Sequence, residues 1–304
     1  MKLELGSHTV ETSNDGKVLF PDSGITKGDV IEYYRDIAEL MLPHLKGRCL
    51  TIQRFPDGLG EDGFFQQNRS DYFPDYVGSK TLAMAGGDKN MEHIVIDHTA
   101  GLVYLANQAA ITFHGWLSIV DSPQHPDRIV FDLDPSSDDF QSVIDCARLL
   151  REVLDVAGLI PFVMTTGSRG LHVIAPLSGE ITFDEARDFA KSVAAATAAR
   201  DRSRFTTRQR KEARHGRLYI DVGRNAYGQT SVLPYSLRAI EGAPVATPLD
   251  WDELARSKLS PRSYDIGNLR RRMAQKTDPL ADFFRQKRKL AGSRDKLDDW
   301  PTSV

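Results

Sequence analysis

Two aspartates, Asp132 and Asp134, stand two residues apart in the segment RIVFDLDPSS, residues 128–137. Apolar residues alternate with them, which is the pattern of a strand with one buried face. Both carboxylates therefore lie on the other face, where they repel each other unless a cation neutralises them. Aspartate oxygens suit Mg²⁺ or Mn²⁺. The pair alone is more typical of a strand that runs into a solvated turn. With Asp221 from a later strand, the set is instead typical of a two-metal site for phosphoryl transfer.

The turn in the segment TTGSRGLH offers the donors that a phosphate needs. Its glycines let backbone N–H groups approach an anion, and Ser168, Arg169 and His172 add side-chain donors. Two arginines that follow the third aspartate, Arg224 and Arg238, are of the type that binds phosphate through paired N–H groups. Such turns also occur in plain hairpins, and surface arginines often form only salt bridges, so neither signal is specific alone. The spacing fits neither a P-loop nor a nucleophile elbow.

The elements around these residues follow the order β-α-β-β-α-β. After the aspartate strand comes a helix with an apolar stripe over residues 140–154, then the strands PFVMTT and LHVIAPL. Thr182 and Glu185 open a second helix as a capping box, and RLYIDV supplies the last strand. In this ferredoxin-like order the first strand lies between the third and the fourth. We therefore expect His172 and Asp221 to meet the two aspartates.

The N-terminal part reads as a separate α/β module. Thr26 and Asp29 open a helix that is predicted to end at Pro43, and RCLTIQRF reads as a strand. A glycine-rich loop lies within residues 79–91, and AGLVYLANQAAITFHGWLS reads as a helix that passes into a strand. We predict an α/β (α+β) protein in which a ferredoxin- or RRM-like catalytic sheet packs with this module. The expected segments of one compact catalytic unit are the module (1–127), the catalytic core (128–250) and a basic helical C-terminal segment (251–304).

The composition is that of an ordinary globular protein, with 40% hydrophobic and 27% charged residues. No apolar run is long enough to cross a membrane, and the start lacks a signal-peptide pattern, so we expect a cytoplasmic protein without a membrane partner. The two cysteines lie far apart, which argues against a zinc site and a structural disulfide. The net charge of −3 hides three basic runs, typical of a phosphate-binding surface or of solvated helix faces: residues 200–217, 270–276 and 285–296.

The segments FDLDP, TTGSRGLH and IDVGRN with PYSLRA resemble the motifs of the archaeo-eukaryotic primase superfamily. More closely, the chain is similar to the polymerase domain of bacterial DNA ligase D and to stand-alone primase-polymerases, from GKVLFPDSGITKGDVIEYY to GAPVATPL. The resemblance implies a template-dependent DNA or RNA nucleotidyltransferase. It would add nucleotides to a 3′-hydroxyl with two Mn²⁺ or Mg²⁺ ions and fill short gaps in DNA repair or end joining. The partners implied are nucleoside triphosphates, DNA with gaps or broken ends bearing a 5′-phosphate, and a separate DNA ligase.

The resemblance also assigns roles to single residues. It assigns metal binding and catalysis to Asp132, Asp134 and Asp221. Nucleotide binding is assigned to His114, Ser168, Arg169, His172, Arg224 and Arg238. Binding of the 5′-phosphate of a gap is assigned to Lys17 and Lys27, and template stacking to Phe64 and Phe65. From their surroundings alone, the lysines are expected to be exposed and adjacent phenylalanines to be mostly core. Gly115 stands where relatives often have proline. The glycine-rich loop is expected either to contact the second DNA end or to be a plain mobile loop.

Two other functions share some of these features. An RRM-like module that binds nucleic acid without catalysis would also present a ferredoxin-like sheet with exposed aromatic residues. Carboxylates on its binding face would repel phosphate unless metals bridged them, so a pure binder should not keep them. Metal-dependent hydrolysis of phosphodiesters needs clustered acids but no triphosphate pocket. The sequence therefore favours the polymerase.

Overall fold

The chain forms two compact units, each assembled from three separate stretches. The computed structural model describes residues 1–84, 86–87, 89–137 and 139–298. The first unit consists of Met1–Asp121, Thr230–Thr247 and Tyr264–Lys276. The second unit consists of Ser122–Gln229, Pro248–Ser263 and the chain from Thr277 onwards. The division into segments 1–127, 128–250 and 251–304 stays a prediction.

The strands are numbered in chain order. The strands before the aspartate segment are β1 (Lys2–Leu5), β2 (His8–Glu11), β3 (Val18–Phe20), β4 (Ile25–Thr26), β5 (Leu50–Arg54), β6 (Phe64–Gln66), β7 (Gly78–Ala83), β8 (Asn90–Val95) and β9 (Ala110–Trp116). The later strands are β10 (Arg128–Asp134), β11 (Phe162–Thr165), β12 (Leu171–Pro176), β13 (Phe205–Thr206), β14 (Leu218–Asp221), β15 (Thr230–Val232) and β16 (Pro248–Leu249).

The helices are numbered in the same way. They are α1 (Lys27–Asp36), α2 (Ala38–Leu45), α3 (Thr99–Asn107), α4 (Phe140–Val156), α5 (Phe183–Arg200), α6 (Leu269–Met273) and α7 (Ser293–Asp298). Short 3₁₀ helices lie at Lys211–Ala213, Trp251–Ala255 and Phe283–Arg285. Within the described part of the chain, no helix is both long and apolar enough to span a membrane.

The sheet of the second unit has the strand order β13-β14-β10-β12-β11-β16. Strand β10 lies between β12 and β14 and is antiparallel to both, which confirms the predicted ferredoxin-like arrangement. Three apolar residues of β10, Ile129, Phe131 and Leu133, are fully buried on one face, and helices α4 and α5 pack on this sheet. Helix α5 begins with the predicted capping box of Thr182 and Glu185. Because side chains alternate along a strand, both aspartates lie on the opposite face, together with the buried Val130.

The first unit contains a second sheet, with the order β15-β9-β5-β8-β7 and with β6 paired to β5. Alternate residues of these strands, such as Ile52, Ile94 and Phe113, are fully buried in a core to which α1, α2 and α3 contribute. Two small hairpins, β1-β2 and β3-β4, complete the pairing in this unit. The predicted passage from helix to strand is confirmed by α3 and β9.

The first predicted helix is interrupted. Helix α1 opens with the predicted capping box of Thr26 and Asp29 but ends at Asp36. A second helix, α2, follows after Ile37 and includes Pro43 instead of stopping before it. Proline lacks a backbone donor, and α2 ends two residues beyond it. The periodicity therefore predicted the apolar face but not the break.

The glycine-rich segment 79–91 is mainly a hairpin and not a loop. Strands β7 and β8 pair residue by residue, from Gly78 with Val95 to Ala83 with Asn90. Ala85 and Asp88 at the tip lie outside the described residues. Contact of this tip with a second DNA end stays a prediction.

Candidate active site

Three polar residues lie side by side on the neighbouring strands β12, β10 and β14. The register pairs Asp132 with His172 on one side and with Asp221 on the other. Directly paired residues of antiparallel strands point to the same face, and this face is opposite to that of the buried Leu133. Asp134 lies on the same face, two residues further along β10. The structure thus brings together the residues that the strand order predicted to meet.

His172 contacts the first aspartate. Its Nε2 atom lies 3.5 Å from Oδ1 of Asp132, and only 4% of the histidine is exposed. The other ring nitrogen, Nδ1, is buried and has no hydrogen-bond partner among the described residues. Because the ring is enclosed, its contact restricts the orientation of the Asp132 carboxylate.

Asp134 is paired with an arginine that the sequence motifs did not single out. Nη1 of Arg214 donates to Oδ2 of Asp134 at 3.0 Å. The guanidinium carbon lies 4.2 Å from the centre of the Tyr219 ring, and Tyr219 is the partner of Asp134 across the strands. The ring therefore supports the arginine from β14. Arg214 belongs to the basic run 200–217, and its sequence position alone does not distinguish it from the exposed arginines there.

Asp221 is held by the end of its own strand. Its Oδ1 accepts hydrogen bonds from the backbone N–H of Gly223 at 2.7 Å and from the Tyr219 hydroxyl at 3.2 Å. Burial, and then the negative charge of Asp221, raise the pKa of Tyr219 to about 12. The hydroxyl therefore stays protonated at neutral pH and can donate to the carboxylate.

The three carboxylates have the chemistry of a site for hard divalent cations, because their oxygens share one face. In this structure Arg214, His172 and the backbone of Gly223 contact them instead. Among the described residues, no group of three or more His, Cys, Asp or Glu side chains is arranged so that it could hold a metal ion. Ion binding at this face would therefore need these side chains to come closer together than they are in this arrangement.

The turn between β11 and β12 lies against the end of β10. Thr166 closes it: its N–H donates to the carbonyl of Gly170 at 3.0 Å, and its Oγ1 accepts from the N–H groups of Ser168 and Gly170 at 3.2 Å. A Cβ at Gly170 would lie 2.0 Å from a carbonyl oxygen of β10, so only glycine allows this approach. Ser168 and Arg169 therefore lie beside the aspartate strand, where Nη2 of Arg169 donates to the carbonyl of Pro135 at 3.2 Å.

Arg224 is exposed, whereas the next residue is buried and completes the sheet. Oδ1 of Asn225 accepts from the Val130 N–H at 2.8 Å, and Nδ2 donates to the Val130 carbonyl at 2.7 Å. Strand β14 pairs with β10 only from Asp132 to Asp134, so the amide takes the place of a strand partner. An asparagine after a glycine and an arginine resembles an ordinary turn residue, so the sequence gives no signal for this role.

The first unit contains the residues assigned to template contacts. Phe64 and Phe65 begin β6, and 45% and 63% of their surfaces are exposed, which corrects the expectation that they are mostly core. The Phe65 ring lies 6.2 Å from the ring of His114, edge to face. Gly115 lies within β9 and not in a loop, and a Cβ there would come within 2.9 Å of the Leu233 side chain.

The two lysines assigned to a 5′-phosphate are neighbours, because the β3-β4 hairpin brings them together. The N–H of Lys27 donates to the carbonyl of Lys17 at 2.8 Å. Nζ of Lys17 lies 2.7 Å from the exposed Asp57. Lys27 is only 6% exposed and donates to the carbonyl of Asn107 at 3.2 Å, so the expectation of an exposed side chain is wrong for this residue. Burial lowers the pKa of Lys27.

The predicted nucleotide-binding residues are divided between the units. Arg238 is half-buried in the first unit, and its backbone N–H donates to the carbonyl of Pro244 at 2.8 Å. The first unit contains His114 and Arg238, and the second contains Ser168, Arg169, His172 and Arg224.

Known proteins match most of the chain. The family described as "LigD, primase-polymerase domain" matches residues 26–280. The bifunctional non-homologous end joining protein LigD of Bacillus subtilis (strain 168) is 36% identical over 271 residues, which are 88% of this chain and 43% of that protein. The multifunctional non-homologous end joining DNA repair protein LigD of Mycobacterium tuberculosis (strain ATCC 25618 / H37Rv) is 34% identical over 265 residues, with 84% and 35% covered. The chain thus spans less than half of these relatives.

A solved structure extends the similarity to the fold. The polymerase domain from Mycobacterium tuberculosis ligase D in complex with DNA matches with a TM-score of 0.85 and 31% sequence identity. The match covers 92% of this chain and 99% of that one. It confirms the mixed α/β fold and the family resemblance of the motifs. By its sequence and its fold, the chain belongs to the LigD primase-polymerase domain family of nucleotidyltransferases.

Proposed function

We propose that this chain is a template-dependent primase-polymerase that adds ribo- or deoxyribonucleotides to a 3′-hydroxyl. It would fill short gaps during DNA repair or end joining, before a DNA ligase seals the strand. The observation that carries the proposal is the row of His172, Asp132 and Asp221, with Asp134 on the same face of the sheet. A module that only binds nucleic acid has no use for three carboxylates on one face, because they repel phosphate.

The three aspartates are the proposed ligands of two divalent ions, Mn²⁺ or Mg²⁺. Such ions, when bound, activate an attacking hydroxyl and neutralise the charge of the leaving pyrophosphate. Without them, Arg214 neutralises Asp134 and His172 restricts Asp132. These contacts reduce the repulsion between the carboxylates and keep them on the face where the reaction is proposed to occur.

The phosphate groups of the substrates have proposed partners in both units. We assign the triphosphate of the incoming nucleotide to His114, Ser168, Arg169, His172, Arg224 and Arg238. We assign the 5′-phosphate of a gap to Lys17 and Lys27. Burial disfavours the charged form of Lys27, and Asp15 offsets this only in part, so a phosphate beside the lysine would further stabilise its charge. The exposed rings of Phe64 and Phe65 offer stacking surfaces for template bases.

The test is extension of a primer across a short gap with a 5′-phosphate. Ribo- and deoxyribonucleotides are supplied separately, each with Mn²⁺ or Mg²⁺. We expect the wild type to extend the primer and Asp134→Asn to be slower by about 100-fold or more, because the variant loses a charged ligand. Asp184→Asn, an exposed aspartate on α5, is the matched control and should extend normally.

DNA binding distinguishes the polymerase from a binding module. Asp134→Asn is expected to bind the gapped DNA at least as well as the wild type, because it removes a negative charge. Binding without extension by the wild type, under every combination of metal and nucleotide, would refute the polymerase and leave the RRM-like module.

A further inference from the structure

A surface pocket lies beside the aspartate strand, within the second unit. It is bounded by the end of β10, the start of α4, the turn between β11 and β12, and the chain that follows β16. Its lining combines two arginines and three serines with the aromatic ring of α4: Arg169, Arg262, Ser137, Ser168, Ser260 and Phe140. The polar lining of this pocket is thus made of hydrogen-bond donors and cations.

Arg262 is fixed against the turn that carries Ser168. Its Nε atom donates to the carbonyl oxygen of Ser168 at 2.9 Å, and its backbone N–H donates to Oγ of Ser260 at 3.3 Å. Arg169, the next residue of the turn, uses Nη2 for the carbonyl of Pro135. Both arginines are exposed. Each guanidinium donates to one backbone carbonyl in these bonds and has further N–H groups that the bonds do not use.

Neither guanidinium group of the pocket is paired with a carboxylate of the described residues. Within the described ranges, neither Arg169 nor Arg262 forms an ion pair, and the described residues that line the pocket include no acid. Other arginines of the same unit do pair, such as Arg204 with Asp145 at 2.8 Å. Two cations that line one pocket create a positive potential there, which attracts an anion.

We infer that Arg262 and Arg169 bind phosphate in this pocket, with the serine hydroxyls as further donors. Guanidinium groups bind phosphate oxygens through pairs of N–H groups. The phosphate comes either from a nucleoside triphosphate or from the backbone of a nucleic acid. The first source rests on the proposed function, whereas phosphate binding itself does not. Arg262 thereby becomes a phosphate-binding residue that no sequence motif indicated.

Calorimetric titration with two probes tests the pocket. One probe is inorganic tripolyphosphate without divalent metal, and the other is a short single-stranded DNA with a 5′-hydroxyl. We expect Arg262→Gln to weaken binding of one probe by about ten-fold or more, because it loses charge-assisted hydrogen bonds. Arg187→Gln removes an exposed charge from α5 and is the matched control, with nearly wild-type affinity for both probes.

The outcomes distinguish the two sources of phosphate and can be judged independently of the proposed polymerase activity. Weaker tripolyphosphate binding assigns the pocket to the nucleotide, and weaker DNA binding alone assigns it to the nucleic-acid backbone; both support the pocket. Unchanged affinity for both probes would overturn it.

If Arg262→Gln fails to fold, Arg262→Lys replaces it. This variant keeps the charge but not the paired N–H groups, so about three-fold weaker binding supports the proposal and wild-type affinity overturns it. Neither probe requires catalysis, so a failure of primer extension leaves this result intact.

Discussion

The three aspartates are each held by a different kind of donor. Asp134 contacts the permanent cation of Arg214, whereas Asp221 accepts neutral hydrogen bonds from Gly223 and Tyr219. Asp132 contacts a histidine, whose charge depends on protonation. A divalent cation at Asp134 would therefore meet the positive charge of Arg214, whose Nη1 atom lies 3.0 Å from Oδ2 of the carboxylate. The repulsion between the two cations opposes ion binding at this carboxylate as long as the arginine contact persists.

Lys27 combines a cost in stability with a proposed role in binding. Its side chain is nearly buried, and burial lowers its pKa below that of a free lysine, so the charged form is disfavoured in the native state. The native protein bears the cost of this burial. We expect Lys27→Met to melt at the wild-type temperature or above it, and to lose the preference for gaps with a 5′-phosphate.

The measurements are thermal unfolding and primer extension on gaps with a 5′-phosphate or a 5′-hydroxyl. Lys46→Met replaces an exposed lysine and should change neither result. A lower melting temperature for Lys27→Met would show that its contact with Asn107 outweighs the burial cost. An unchanged 5′-phosphate preference would remove Lys27 from the proposed site.

At the scale of the elements, strand β10 depends on a residue outside the sheet. The side chain of Asn225 satisfies both backbone groups of Val130, which β14 does not reach. We expect Asn225→Ala to lower the free energy of unfolding by about 2–4 kcal/mol, because it leaves a buried donor and a buried acceptor unpaired. Urea unfolding followed by circular dichroism measures this change.

Two further variants define the origin of that loss. Asn225→Asp keeps an acceptor for the Val130 N–H but loses the donor to its carbonyl, so it should also be destabilising. Asn90→Ala removes an exposed asparagine of β8 and should be almost neutral. A change below about 0.5 kcal/mol for Asn225→Ala would mean that water or a backbone shift satisfies Val130.

Sequence periodicity predicted the elements whose two faces differ in polarity. Strand β10 and helix α4 have one buried apolar face, and both were predicted near their true positions. Strand β7 was missed because it is a largely exposed strand of polar and small residues, without an apolar alternation to reveal it. The pairing of Asp134 with Arg214 was missed for another reason: it joins residues far apart in sequence, and local patterns contain no information about such contacts.

At the scale of the whole chain, the second half contributes to both units in turn. Strand β15 pairs with β9 in the first unit, whereas β16 pairs with β11 in the second. Both strands are only two or three residues long and lie at sheet edges, so their sequence has no helix or strand period. Only their hydrogen-bonding partners assign them to a unit.

The dependence of stability on pH is set partly by buried His93 of β8. The residue is 2% exposed, its ring packs 5.0 Å from that of Trp116, and neither ring nitrogen has a hydrogen-bond partner among the described residues. Burial lowers the pKa of His93 below the ordinary value of 6.5. When the pH is lowered, the His93 imidazole of the unfolded chain therefore binds a proton near pH 6.5, whereas the imidazole of the native protein binds one only at a lower pH.

The contribution of His93 to the free energy of unfolding is therefore fully present above about pH 6.5. It is lost as the pH falls through the lowered native pKa, because the unfolded state then binds more protons than the native state. Urea unfolding at about pH 7.5 and about pH 5.5 should show a smaller acid loss in His93→Phe than in the wild type. The phenylalanine keeps an aromatic ring beside Trp116 but cannot titrate. The partly exposed His125 provides the matched variant, His125→Phe, with an acid loss like that of the wild type. Carboxylates titrate alike in all three proteins, so an equal acid loss in His93→Phe would show that the buried imidazole does not couple protonation to unfolding.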